Sequence, residues 1–447
     1  MLIDSSTVPE PRDSVALGIW SIAQEFKLAI HFRDVADAFL SVAVLASTDP
    51  AAFHAVYKSP LASQRALLVE ALQSCSVLAE VVADPFAEFE LLSDKSLQAL
   101  IFLVNEVEDF SAYGDAVVRI LADRDIRRAG DGHTQPVLVQ LMSALAGDLT
   151  DQSVYDGCAG YGSLAAHLGA GTLVLEELDT SAWSIGTKLL CLKEIDSRFT
   201  NTNSLFECDE SIRADWVISE PPWSSRLAPE YSKTLWEAPF IAFSQGRRIP
   251  SSGSDAVWIQ HAIYHMKETG QALILLPQGW LFRGGYDAKL REYLLENDLI
   301  ESIIGLAPGI CPPTSVAPVI LKLNKSKGAA QVGVVRFVDA SEFGTTTKRR
   351  HLLSPEEIAL ICRLAAGELP GHECFSARLL PEIHQNQNNL AIKQYVHREI
   401  HIDLPDLKRE VGALNAAMTQ FEAAQRKFLD VLFVSGQEKG DKGPADT

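Results

Sequence analysis

The segment ADWVISEPPW, residues 214–223, joins an apolar run to an abrupt polar end. Its first part is rich in β-branched and aromatic residues, which predicts a buried strand. Glu220, Pro221, Pro222 and Trp223 follow as a rigid loop, because each proline fixes its φ angle. Open α/β sheets bind ligands beyond the carboxyl ends of their strands. These four residues are therefore the first candidate site, although a Pro-Pro pair also occurs in plain chain reversals.

A glycine-rich turn lies upstream, in VYDGCAGYGSLAAHL at residues 154–168. A predicted strand runs into Asp156, and Gly160 and Gly162 follow before a helix that we expect to begin near Ser163. Glycines let the backbone approach a ligand closely, and a helix N-terminus adds a favourable dipole. Asp156 could accept a hydrogen bond from a ligand amine. On its own, such a turn is equally consistent with a plain connection between a strand and a helix.

A third candidate residue closes the next β-run, TLVLEELD at residues 172–179. Rossmann-like folds place an acid at such a strand end, where it binds the ribose hydroxyls of a ligand. The register of the apolar positions favours Glu177 over Glu176, and neither is excluded. An isolated glutamate after a strand is usually a solvated surface residue. The glycine turn before it makes the ligand-binding interpretation stronger.

The pattern along the chain predicts four regions. Residues 1–128 form an α-helical N-terminal domain, because apolar residues recur there at helical spacing. Residues 129–370 alternate β-rich and helical stretches, which indicates a doubly wound, Rossmann-like α/β domain. Residues 371–434 end in a heptad-like stripe, either a coiled-coil seam or a helix packed on its own domain. Residues 435–447 are expected to be a disordered tail.

Composition limits the possible functions. The chain has 447 residues, of which 47% are hydrophobic and 22% charged, as is usual in globular proteins. No apolar run is long enough for a membrane helix. Its seven cysteines are far apart, so we expect reduced thiols in a cytoplasmic protein and no metal site. The net charge of −19 opposes DNA binding by the whole surface. A DNA substrate would therefore need a local cleft or a partner subunit to supply positive charge.

Together these motifs resemble the N6-adenine DNA methyltransferases, and specifically the modification subunits of type I restriction-modification systems. The family pattern is a glycine turn after an Asp-Pro pair, a strand-end acid and an Asn-Pro-Pro-aromatic motif. Asp156, Gly160 and Gly162 match the turn, with Gly157 in place of the proline, and Glu177 matches the acid. The resemblance continues through GQALILLPQGWLFRGGYD (residues 270–287) and IGLAPG (residues 304–309), and it extends to the N-terminal helices with Trp20.

The resemblance implies a cofactor and a role for each site residue. S-adenosylmethionine (SAM) would be held by the turn and strand-end residues Asp156, Gly160, Gly162 and Glu177. Two further segments would contribute Asn203, from Asn203-Ser204-Leu205, and Thr134, from the segment that stands in place of the family's Thr-Pro. A flipped adenine would stack on Trp223, with the Pro221 carbonyl and residue 220 accepting hydrogen bonds from its amine. Glu220 departs from the family, which has Asn there and in some relatives Asp or Ser. Glu is longer and charged, so we expect greatly reduced or absent methylation.

Three functions remain open. The first is a modification subunit of a restriction or defence complex that binds SAM and reaches DNA through a specificity-like or nuclease subunit, with a homodimer also possible. The second is a methylation-incompetent scaffold of the same fold that binds protein or clamps DNA. The third is a methyltransferase acting on a nitrogen of RNA or protein. The helical N-terminal domain and the C-terminal heptads favour the first two over the third.

A few other residues have both a functional and a plain interpretation. The pair Arg247-Arg248 and the run from Lys348 to His351 are local basic spots, which either contact phosphate or lie in solvated loops. Asp255 precedes or caps a predicted helix. Arg283-Gly284-Gly285 lies in a loop that either faces the substrate or forms a simple turn.

Overall fold

The computed structural model describes residues 32–79, 81, 89, 92–124, 133–228, 234–235, 237–242, 249–312, 314–346, 351–397 and 407–437. The chain divides into two compact units, Met1–His397 and Arg398–Thr447. In the second unit the described part is one long helix, Leu407–Gln437. Trp20, Arg247-Arg248, Lys348 to Arg350 and residues 438–447 of the tail lie outside the described residues.

The N-terminal part of the first unit is helical, as expected. Helix Phe32–Thr48 is its centre, and every side chain from Ala38 to Leu45 is fully buried. A helix that is apolar all round can be stable only in a protein interior. The helices that follow it up to the sheet are Pro50–Lys58, Leu61–Ser74, Ser76–Ala79, Asp94–Asn105, Phe110–Arg124 and Pro136–Ala146.

One nine-stranded sheet follows, with the order β11-β8-β6-β7-β5-β4-β1-β2-β3. Strand β7 is antiparallel to β5 and β6, β11 is antiparallel to β8, and the other neighbours are parallel. Its strands are β1 Ser153–Asp156, β2 Thr172–Glu177, β3 Ser197–Asn201, β4 Ala214–Ser219, β5 Met266–Pro277, β6 Ile300–Leu306, β7 Pro318–Asn324, β8 Val334–Ala340 and β11 Phe375–Leu379, while β9 Thr345–Thr346 and β10 His351–Leu352 form a separate pair.

Helices cover the sheet, which completes the α/β architecture that the sequence predicts. They are Thr180–Leu192, Ser254–His265, Tyr286–Glu296, Pro355–Ala366 and Leu380–Gln385, with short 3-10 turns at Ala165–His167, Gln278–Leu281 and Ile392–Gln394.

The helical region and the sheet share a hydrophobic core, instead of each having its own. A single apolar cluster runs from Ala36 in the first helix to Phe375 in the last strand. A buried ion pair crosses the same boundary, since Lys188 Nζ lies 2.7 Å from Asp37 Oδ1 and the side chain of Lys188 is fully buried. Packing therefore continues across residue 128, where the sequence predicts the end of the N-terminal domain.

Two other expectations from the sequence differ from the structure. The boundary after residue 370 is displaced, because β11 pairs with β8 and Tyr395 stacks on Phe337, with ring centroids 4.3 Å apart. The helix expected near Ser163 is wrong: only the 3-10 turn Ala165–His167 forms. The chain returns to β2 at Thr172, so there is no room for a longer helix.

The sequence contains no apolar run long enough for a membrane helix, and the described helices can be compared with that expectation. Among them no single helix has the length and apolar character to cross a membrane, although the bent pair Ala36–Thr48 and Pro50–Lys58 meets both criteria when taken together.

Candidate functional site

Asp156 stands at the carboxyl end of β1, in the middle of the parallel part of the sheet. Its Oδ1 accepts hydrogen bonds from the Cys158 amide at 3.1 Å and from the Ser219 hydroxyl at 2.7 Å. Within the described part of the chain, no hydrogen bond reaches Oδ2. Burial raises the pKa of Asp156 to about 6, even though these hydrogen bonds favour the charged form. One carboxylate oxygen is thus fixed and the other remains available to a ligand.

Glu177 closes the glycine turn from the neighbouring strand β2. Its Oε2 accepts a hydrogen bond from the Gly160 amide at 2.8 Å, and its Oε1 accepts one from the Asp179 amide at 2.8 Å. Gly160 and Gly162 both have positive φ angles, 57° and 67°, which other residues adopt only with strain. The two glycines therefore shape the turn, and Glu177 is the acid that holds it, as the register predicts.

Glu176 has a different role from Glu177. Its side chain accepts a hydrogen bond from the hydroxyl of Tyr155, and both residues are buried. The two residues thus differ in their side chains: that of Glu177 accepts from the Gly160 amide, whereas Glu176 reaches the turn only through its backbone carbonyl, which accepts from the Ala159 amide at 3.0 Å.

The segments around Asn203 and Thr134 both reach this turn. The Ser204 hydroxyl donates to the Gly157 carbonyl at 2.6 Å, which places the neighbouring half-buried Asn203 beside the turn. On the other side, His133 Nδ1 lies 3.0 Å from the Ser163 hydroxyl. The next residue, Thr134, is buried and hydrogen-bonds the side chain of Glu220.

Glu220 follows β4 and is buried beside Asp156. Burial raises the pKa of Glu220 to about 7; the Thr134 hydroxyl lowers it, and the charge of Asp156 raises it further. Its Oε2 atom is buried and has no hydrogen-bond partner among the residues that the structure describes. A buried acceptor without a partner costs about 1–3 kcal/mol, which a ligand donor would recover. Glu220 Oε2 is therefore a buried acceptor that can receive a hydrogen bond from a ligand donor.

The Pro-Pro-Trp loop is anchored by two contacts. The half-buried Trp223 donates from its indole Nε1 to the Leu275 carbonyl in β5 at 3.2 Å. Ser224 has a left-handed backbone (φ 48°), and its amide donates to Asp255 Oδ1 at 2.8 Å. Asp255 also forms an ion pair with Arg283.

Asp255 is therefore more than the helix cap suggested by its sequence position. It lies inside helix Ser254–His265, its side chain is buried, and it joins two loops at the ends of β4 and β5. Sequence reasoning identified Asp255 and Arg283 only as separate residues. An acid beside a predicted helix start carries no signal that its partner lies in a distant loop.

The site as a whole carries unbalanced negative charge. Asp156, Glu177 and Glu220 all act electrostatically on the half-buried Cys158, whose pKa is raised first by desolvation and then by Asp156 and Glu177. In the part of the chain that the structure describes, the main groups that shift the pKa of these three carboxyls include no lysine or arginine, although Arg33 pairs with Asp179 at 2.9 Å and lies over the Tyr161 ring. Such a site favours a ligand that brings positive charge.

Comparison with solved structures defines the class of fold. The methyltransferase subunit of a type I restriction-modification system from Streptococcus thermophilus superposes with a TM-score of 0.67 at 21% identity, covering 86% of this chain and 99% of that chain. This similarity shows that the fold is the Rossmann-like fold of SAM-dependent methyltransferases with an added helical region, as the sequence predicts.

The chain belongs to the N-6 DNA methylase family, whose sequence model matches residues 108–403. Two curated relatives are methylase subunits of type I restriction enzymes: that of MpnII from Mycoplasma pneumoniae is 23% identical over 73% of this chain, and that of MjaVII from Methanocaldococcus jannaschii is 26% identical over 75%. The matched region spans 64% and 61% of these two relatives, so the chain covers less than two thirds of their length.

Proposed function

We propose that this chain is a modification subunit that binds SAM and presents it to the N6 amine of adenine in DNA. The proposal rests mainly on one observation. Asp156, Glu177 and Glu220 lie at the carboxyl ends of the adjacent strands β1, β2 and β4. SAM supplies, when bound, an electrophilic methyl group on a positively charged sulfur. Three carboxyls close together suit such a ligand, because its charge would offset their mutual repulsion.

Each residue then has a role that follows from its position. The free Oδ2 of Asp156 would accept from the cofactor amine, and Glu177 would keep the glycine turn in shape and accept from ribose hydroxyls. Thr134 and Asn203 would line the two sides of the same site. Trp223 would stack the flipped base, while the Pro221 carbonyl and Glu220 would accept from its amine. Catalysis would come mainly from this positioning.

A catalytically inactive scaffold is the second candidate, and Glu220 is the specific reason for it. Its side chain fills the space of a shorter amide, and its pKa of about 7 leaves it partly protonated at neutral pH. A protonated carboxyl still offers one acceptor oxygen, but its extra methylene displaces the base from the line of methyl transfer. Sub-ångström displacements are costly where positioning supplies the rate.

Two measurements test the proposal and separate the candidates. Calorimetric titration of the purified chain with SAM is expected to show binding at a single site, and no binding would favour the scaffold. Methyl transfer from labelled SAM to adenine-containing DNA is then measured together with the partner subunits. Glu220→Asn is expected to raise the rate, whereas Glu220→Gln, which removes the charge but keeps the length, is expected to raise it less. A folded, SAM-binding Asn variant with no gain would contradict the assigned role of residue 220.

The partner subunits belong to the same proposal. The net charge of −19 makes unaided DNA binding unfavourable, so a specificity-like or nuclease subunit would supply the main phosphate contacts. The helix Leu407–Gln437 carries a stripe of exposed apolar side chains, including Leu414, Met418 and Phe421, which suits helix–helix association with such a partner or with a second copy. Co-purification of the full chain with its candidate partners, with and without Leu414→Glu, tests this part separately.

A further inference from the structure

A cluster of three metal-ligand side chains lies behind the cofactor site. Cys208 comes from the loop after β3, and His261 and His265 come from helix Ser254–His265, at the i and i+4 positions that share one helix face. Their ligand atoms all lie within 4.8 Å of one another, and both histidines are buried. The spacing of the cysteines along the sequence predicted no metal site, since the fold must first bring this loop to the helix.

The distances suit a tetrahedral ion. Cys208 Sγ and His265 Nε2 are 3.5 Å apart. In a tetrahedral zinc site the Zn–S and Zn–N bonds are about 2.3 and 2.0–2.1 Å, which separates the two ligand atoms by roughly 3.5 Å. The pair thus already has the separation that a shared Zn²⁺ would impose.

The second nitrogen of each imidazole also points to a ligand role. His265 Nδ1 lies 3.0 Å from the Ile212 carbonyl, which can only accept, so Nδ1 carries the proton and Nε2 has the lone pair. The ring of His261 hydrogen-bonds the backbone of Ser204, while its buried Nε2 has no partner within the described ranges of the chain. Metal-binding histidines are usually oriented in this way, with one nitrogen donating to a carbonyl and the other facing the ion.

The surroundings of the cluster offer charge compensation. Tyr155 packs on His265, with ring centroids 4.5 Å apart, and donates to the carboxylate of Glu176. Glu176 therefore provides a negative charge beside the cluster, which offsets the single positive charge left by a divalent ion and one thiolate. Arg213, the nearby cation, is engaged with the carbonyls of Glu210 and Ile212 and with the Tyr264 ring.

From this geometry we propose that Cys208, His261 and His265 bind a divalent transition-metal ion of the zinc class, with water in the fourth position. Bound there, the ion would join the loop after β3 to helix Ser254–His265. The same loop carries Asn203 and Ser204, and Ser204 donates to the Gly157 carbonyl of the glycine turn. The ion would therefore brace the cofactor loop from behind without touching the methyl-transfer site.

Cobalt titration of the full chain tests the site, because thiolate coordination to Co²⁺ gives a near-ultraviolet charge-transfer band. The tag-free, metal-stripped protein is expected to show this band, to saturate at one equivalent of Co²⁺, and to lose the band when Zn²⁺ is added. Cys208→Ser is expected to abolish it. Cys362→Ser, which removes another half-buried thiol far along the chain, is expected to keep it.

The alternative is a thiol that merely donates to the imidazole of His265. In that case the folded wild-type chain would show no charge-transfer band, and its melting temperature would not rise with Zn²⁺; either result overturns the proposal. A metal that binds only the native state instead raises the melting temperature as its free concentration increases. Because the wild type decides the matter, a poorly folding Cys208→Ser variant would not obscure the outcome, and His265→Gln provides an independent variant.

Discussion

The hydroxyl of Ser219 donates a hydrogen bond of 2.7 Å to Asp156 Oδ1, from the last residue of β4 to the last residue of β1. Ser219 directly precedes Glu220, so this bond joins the acid that we propose binds the cofactor to the loop that we propose binds the substrate. Asp156 accepts on the same oxygen from the Cys158 amide, which extends the connection into the glycine turn. The buried carboxylate of Asp156 therefore contacts both the glycine turn and the end of β4, and so fixes their relative position.

Removing this bond is expected to weaken both stability and cofactor binding. In Ser219→Ala the buried Asp156 loses a donor, and hydrogen bonds to charged groups contribute about 1.5–3 kcal/mol. We expect a loss of about 2 kcal/mol in the free energy of unfolding and a weaker calorimetric affinity for SAM. Ser225→Ala is the control, because the Ser225 hydroxyl makes only a long contact of 3.4 Å to Pro222. Equal behaviour of the two variants would argue against the assigned role of Ser219.

The buried Glu220 makes stability depend on pH in a defined direction. Burial raises its pKa from 4.5 to about 7, so folding favours the protonated form. Its stabilising contribution is therefore complete below about pH 4.5 and is lost as the pH rises to about 7. At 1.36 kcal/mol per pKa unit, the loss is about 3 kcal/mol.

Glu220→Gln is expected to remove this part of the pH dependence. Denaturant unfolding of the wild type and the variant at pH 5 and pH 8 measures it, and the variant is expected to lose less stability between the two. Glu356→Gln changes an exposed carboxylate and is expected to keep the wild-type dependence. Asp156, whose pKa is about 6, still titrates in every variant, so some dependence remains. Parallel pH profiles for the wild type and Glu220→Gln would contradict the prediction.

The left-handed backbone of Ser224 is expected to rely on Asp255. Asp255→Ala removes the acceptor of the Ser224 amide and one partner of Arg283, which keeps its second ion pair with Asp287 at 2.9 Å. Arg283 is 33% exposed, so breaking its ion pair with the buried Asp255 should cost less than the about 3–5 kcal/mol of a fully buried pair, and the pair with Asp287 reduces the loss further. Asp255→Asn still offers an oxygen to the Ser224 amide, so thermal unfolding should show a smaller loss. If both variants melt alike, the contact to Ser224 is not what stabilises the loop.

Much of the fold follows from the sequence alone. Apolar β-runs such as those ending at Asp156, Glu177 and Ser219 are continuous because the strands are buried on both faces, and the structure contains each of them as a strand. The capping box at Ser354 and Glu357 starts helix Pro355–Ala366, within the region whose alternating pattern predicts helices between strands. The boundaries between domains were harder to predict from the sequence, because the pairing of β11 with β8 depends on contacts between distant segments.

The candidate site was predicted in part, and the missing part has a physical cause. Asp156, Glu177 and Glu220 stand at strand ends, where the topology of a parallel sheet brings ligand-binding residues together. The contacts of Asp255 with Ser224 and Arg283, and of Cys208 with His265, join segments that no local pattern relates. Residue spacing reveals a site within one turn or helix, but not one that the fold assembles from several.

Gly157 shows how such a distant contact explains a departure from the family pattern. A Cβ atom at this position would lie 2.8 Å from His261 Cε1 and 2.8 Å from the Tyr155 hydroxyl. Real Cβ contacts are longer, so any larger residue must displace one of these buried side chains. The glycine is therefore required by the packing of His261 and Tyr155 behind the turn, which accounts for the absence of a proline here.

Gly157→Ala is accordingly expected to destabilise the chain by about 1–3 kcal/mol, the usual cost of overpacking a core. Gly279→Ala is the matched control, because a Cβ there would meet only the Arg283 side chain, at 4.0 Å. Combining Gly157→Ala with His261→Ala removes one of the two nearest obstacles, so the two changes should cost less together than the sum of their separate effects in denaturant unfolding. Strict additivity would mean that His261 does not impose the glycine, and the departure at residue 157 would then need another cause.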